Sequence, residues 1–182
     1  MVAGHEWLSP TRAVGLIAYS ASLAACAIRW LQSRVGERSR RSSFGWLGAI
    51  QLLLLLDMAG DWRWKLHDFW MREAVTKGVY EERRWPQMLA LALLAAMVIV
   101  ATAWAYRRFR SRVGFAVALG ATIFCVALWF CEAISFHFVD ALFYRQIGSV
   151  MLVSLLWIGL AIATCVGAWL DARGDRAAFW KA

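Results

Sequence analysis

The chain has 182 residues, about the size of one domain, yet 62% of them are hydrophobic, against about 45–50% in soluble proteins. The excess is gathered into runs too long for core helices and separated by charged loops, which excludes a soluble globular domain. The formal charge of +8 does not point to nucleic acid, because Lys and Arg cluster between the apolar runs, where basic loops hold the cytoplasmic ends of membrane spans.

Ser9-Pro10-Thr11 reads as a helix start, with a hydroxyl to cap it and Pro in the first turn. A span over residues 12–31 follows, rich in small residues such as Gly15, Ala18, Ala21 and Ala25 that let a neighbouring helix approach closely. The residues before it lack the basic region of a secretory signal, so this run is expected to be retained as a span. Arg29, near its end, is expected to snorkel to the interface. Arg34, Arg38, Arg40 and Arg41, opposed by Glu37 alone, mark a cytoplasmic loop.

A second span covers 44–61. Asp57 and Asp61 fall about 20 Å and about 26 Å along it, inside the far edge of a hydrocarbon core about 30 Å thick. Over 62–76, Trp62, Leu66, Phe69 and Trp70 share one helical face while Lys65, Asp68 and Arg72 lie largely on the other. That pattern predicts an amphipathic helix lying in the interface. Trp85-Pro86 opens a third span, 87–106, and Arg107, Arg108, Arg110 and Arg112 close it on the cytoplasmic side.

The fourth span, 113–137, carries Glu132 about 28 Å from its start. A charged turn ending at Arg145 leads to the fifth span, 147–170, and a basic tail with Arg173, Arg176 and Lys181. The four cysteines, Cys26, Cys125, Cys131 and Cys165, lie within apolar runs without a CxxC pair and read as small buried hydrophobes.

Together these features predict an all-α integral membrane bundle of five transmembrane helices in a single domain. Its N-terminus is outside, its C-terminus inside, and one interfacial helix lies on the extracytoplasmic surface. Basic clusters after the first, third and fifth spans set that orientation, which suits a multi-pass protein of the inner (plasma) membrane. Asp57, Asp61, His67, Glu132, His137 and Asp140 then converge on the extracytoplasmic side. A weak internal echo, an arginine cluster followed by a span ending in acid, His and Asp, occurs over 40–68 and 110–140. Two like-oriented hairpins would bring both outer clusters together.

On a continuous helix Asp140 and His137 lie about 80° and about 140° round from Glu132, all in one sector. With Asp57, Asp61 and His67 from the other hairpin, these residues form a candidate site for a divalent metal such as Zn, Mn or Fe. Such a metal would activate water for hydrolysis of a lipid-linked or periplasmic substrate. His67 and His137 are also candidate axial ligands of one haem b. The alternative is a non-enzymatic accessory or assembly subunit of a larger membrane complex. In that case the carboxylates pair with Arg63, Arg83, Arg84 or Arg145 as structural salt bridges, and the partners are the bilayer and other membrane subunits.

Overall fold

The computed structural model describes residues 9–33, 38–78, 84–134 and 136–179. The elements run α1 (Pro10–Gln32), α2 (Arg38–Gly60), α3 (Trp62–Thr76), α4 (Arg84–Phe109), α5 (Val113–Ile134) and α6 (His137–Phe143). A hairpin of β1 (Gln146–Ile147) and β2 (Val150–Met151) then leads into α7 (Leu152–Phe179). Five stretches are long and apolar enough to cross a membrane: Pro10–Gln32, Ser43–Gly60, Arg84–Phe109, Val113–Ile134 and Leu152–Gly174. The first helix begins as its sequence requires. Ser9 Oγ accepts the Arg12 N–H at 3.3 Å, and Pro10 takes the first helical position, where no N–H is needed.

The core is a bundle of α1, α2, α5 and α7, in which α1 lies against both α2 and α7, and α5 against α7. Toward the α3 end it is filled by Tyr19, Leu54, Met58, Leu128, Val153 and Trp157. Toward the other end it is filled by Cys26, Phe44, Leu47, Phe115, Ala118 and Ala168. Small residues set the approach of the backbones. A Cβ on Gly15 would sit 2.6 Å from Met58 Cε, and one on Gly167 would sit 2.6 Å from the Ala118 nitrogen. A Cβ on Gly114 would run into the backbone of Gly167 and Asp171, so α5 and α7 touch main chain to main chain. Without a hydrophobic drive between helices in lipid, such contact is the main source of association. The fourth helix packs chiefly on α5 and turns Leu89, Leu93, Met97, Val100 and Trp104 outward.

Three expectations change. The fourth span ends at Ile134, and Phe136 is extended (φ −93°, ψ 124°) with its carbonyl accepting the Val139 and Asp140 amides to start α6. Glu132, His137 and Asp140 therefore do not share one continuous helix, and their common sector is lost. The fifth span starts at Leu152 rather than 147. Gly148 (φ +65°) turns the chain there, pairing Gln146 with Met151 and Ile147 with Val150. Arg29 does not snorkel. It is buried, 3% exposed, because α7 presents Asp171 to it.

Candidate functional site

The site is built at the corner where α2 gives way to α3. A Cβ on Gly60 would meet the Trp62 indole at 2.6 Å, and Asp61 takes the left-handed conformation (φ 56°, ψ 32°), one that Asp tolerates better than most residues. This corner folds the start of α3 over the end of the bundle, one helical turn beyond Asp57. The Asp61 side chain makes no capping bond to α3. Asp57 does that work instead, its Oδ1 accepting the Arg63 amide at 3.0 Å. An amide of the first helical turn, which has no partner within its own helix, is thus satisfied by a carboxylate at the positive end of the helix dipole.

The Arg63 side chain then joins three helices. Its Nε donates to Asp57 Oδ2 at 2.7 Å and its Nη1 to Glu132 Oε2 at 2.6 Å. All three side chains are buried, at 5% exposure for Asp57, 3% for Arg63 and 4% for Glu132. Burial disfavours the arginine's charge, but Glu132 and Asp57 outweigh it and push its pKa up, so the guanidinium stays ionised. The pairing across the two hairpins joins Asp57 and Glu132, one acid from each half of the sequence echo.

A second pair lies on the rim. Arg12, in the first turn of α1, donates to Asp61 Oδ2 at 2.9 Å and to the Ala59 carbonyl at 2.5 Å, placing a cation at the C-terminal end of α2. Lys65 Nζ donates to the Gly60 carbonyl at 2.9 Å on the same corner. Tyr144, at the end of α6, packs its ring 5.3 Å from that of Trp64. Burial, then Glu132 and Asp140, push its phenol pKa up. Beside the cluster a groove of about 680 Å³ runs between α2, α3 and α5, lined by Leu53, Asp57, Trp62, Lys65, Leu66 and Trp129.

Of the candidate ligands, Asp57 and Glu132 come together through Arg63, Asp61 is taken by Arg12, and Asp140 lies on α6 near Tyr144. His67 falls on α3 and His137 opens α6, but their side chains lie outside the described residues, as does Arg83. Among the described residues, no three His, Cys, Asp or Glu side chains form a group able to hold a metal ion. A guanidinium stands between the carboxylates of Asp57 and Glu132.

The opposite end of the bundle carries a second buried ion-pair cluster. Arg29 donates to Asp171 Oδ2 through Nε at 3.0 Å and Nη2 at 2.9 Å, and Arg112 Nη2 lies 3.3 Å from Asp171 Oδ1. Ser33 Oγ supports Arg29 Nη1 at 3.3 Å. Sequence reasoning passed over Asp171, although an acid directly after the last apolar run and before a basic tail was a usable signal. Between the two clusters Gln51 Nε2 donates to Thr122 Oγ1 at 3.2 Å.

The fold and these two clusters define a multi-pass helical membrane protein whose bundle is closed by buried ion pairs at each end. No family model matches the chain, and neither a curated protein nor a solved structure is similar to it.

Proposed function

We propose that the chain is a non-enzymatic accessory or assembly subunit of the inner membrane, in which the carboxylate cluster ties α3 to the bundle. The N-terminus lies outside and the C-terminus inside, so that α3 rests on the extracytoplasmic interface with Trp62, Leu66, Phe69 and Trp70 exposed. The observation that carries this reading is the position of Arg63, whose single guanidinium takes up both buried carboxylates. A partner surface is offered by α1, where the small residues Ser20, Ala21 and Ala24 face outward and leave room for another helix to come close.

Native electrophoresis of mildly solubilised membranes tests it. The wild-type chain is expected in an assembly well above its own 20.5 kDa, and Ala21→Leu with Ala24→Leu is expected to release it at unchanged abundance and helicity. A wild-type chain that runs alone overturns the accessory role. The competing outcome is a metal enzyme. In that case Glu132 would serve as a ligand with Asp57, Asp61, His67, His137 and Asp140. Stoichiometric Zn, Mn or Fe in the purified protein, lost in Glu132→Gln, would establish that reading instead.

A further inference from the structure

A groove runs down the outside of the bundle where α2 and α4 stand apart across α5. Its part beside α3 holds about 680 Å³. A deeper part of about 230 Å³ continues between α4 and α5. Ile50 and Val126 line both parts, so the two are joined there. From Trp129 to Leu119 the groove follows α5 for about 15 Å at the helical rise. That is half the depth of a hydrocarbon core about 30 Å thick, the span of one leaflet.

The chemistry along the groove is graded. The deep part is apolar, surrounded by Leu94, Met97, Val98, Leu119, Ile123 and Phe130. The Thr122 hydroxyl at its wall is already used, donating to the Ala118 carbonyl and accepting from Gln51. At the α3 end, Asp57 and Lys65 line the groove. Asp57 is buried, and both its oxygens accept from Arg63. Lys65 is exposed, makes no ion pair among the described residues, and gives one N–H to the Gly60 carbonyl at 2.9 Å. An ammonium carries three such donors, so this bond steadies Lys65 at the mouth without exhausting it. Trp62 and Trp129 flank the same end, and tryptophan is a residue that settles at headgroup depth.

This gradient selects the occupant. A helix with its side chains is about 10–12 Å across and would fill roughly 1,200 Å³ over the same length, several times what the deep part holds. An extended hydrocarbon chain is narrow enough to enter. A positive charge at one end of an apolar slot one leaflet deep then matches a lipid whose headgroup is negative.

We propose that this groove seats one anionic phospholipid of the leaflet on the α3 side, with an acyl chain between α2, α4 and α5 and the phosphate at Lys65. The slot lies on α2, α4 and α5, away from the α1 face offered to a partner helix, so lipid and partner occupy separate surfaces.

Native mass spectrometry of the full chain released from mild detergent tests the proposal, with phosphatidylglycerol and phosphatidylethanolamine supplied in equal amounts. The wild type is expected to retain one lipid per chain and to favour phosphatidylglycerol about fivefold, the effect of one lysine near an anionic headgroup. Lys65→Gln is expected to abolish that preference while keeping one lipid. Val126→Trp fills the groove where its two parts meet and is expected to remove lipid of either kind, at unchanged helicity. If Val126→Trp fails to fold, Leu53→Trp on the exposed rim blocks the same slot. A wild type that retains no lipid, or takes both kinds equally, overturns the site, as does a retained lipid that ignores all these substitutions. A wild type free of lipid but released as a complex that Val126→Trp breaks would show a helix of a second copy or of another protein in the groove, and also overturns it.

Discussion

Arg63 is irreplaceable in kind as well as in charge, since two of its guanidinium nitrogens each reach a different carboxylate while the guanidinium carbon lies 5.8 Å from the Trp157 ring centre. A lysine offers one ammonium and cannot bridge Asp57 and Glu132 in that planar geometry. Removing the cation leaves two buried carboxylates facing each other, so Arg63→Gln is expected to destabilise the protein by about 3–5 kcal/mol. Arg63→Lys should fall between the two, and reversible denaturant or SDS titration in micelles measures both. Asp57 and Glu132 were legible in the sequence because ionisable residues within apolar runs stand out. Arg63 was legible only as one of four arginines. Which of them turns inward depends on the Gly60–Asp61 corner, and one-dimensional patterning does not encode that corner. Tyr19 and Trp157 were not legible, because an aromatic residue in an apolar run looks the same whether it faces lipid or a buried carboxylate.

Among the elements, the five spans were readable from length and apolarity, but their ends were not. Hydropathy runs on through Phe136 and Ile147, so the break after Ile134 and the hairpin before Leu152 are invisible to it. The packing of α5 on α7 gives a sharp contrast between glycines. Gly114→Ala or Gly167→Ala places a methyl against backbone that cannot give way, and a loss of about 1–3 kcal/mol is expected from overpacking. Gly120 and Gly159 have nothing within 4 Å of an added Cβ. Gly120→Ala and Gly159→Ala should be neutral or stabilising by up to about 1 kcal/mol, through helix propensity alone. Thermal unfolding in detergent of the four single variants separates the two classes.

Taken whole, the molecule is a core of four helices, flanked by α4 and locked at both ends by charges its membrane interior would otherwise reject. Among the described residues the locks are built in opposite ways: two carboxylates share Arg63 beside α3, and two arginines, Arg29 and Arg112, share Asp171 at the other end. Asp171→Asn therefore removes the carboxylate that the buried Arg29 and the half-buried Arg112 share. Combined with Arg29→Gln it should cost less than the sum of the single changes, with a coupling energy of about 0.5–3 kcal/mol in a double-mutant cycle. The sequence made one lock visible and hid the other, because an arginine near the end of a span reads as snorkelling unless its partner, 142 positions away, is already in view.

That separation also sets a timetable. A chain made at about 5–20 residues per second inserts α1 roughly 7–30 s before Asp171 is synthesised. Throughout that interval the Arg29 guanidinium is without the Asp171 carboxylate, while Ser33 on the same helix is already within its reach. The packing of α1 on α2 can form during that interval, whereas the contacts of α1 and α5 with α7 close last, when the final helix arrives.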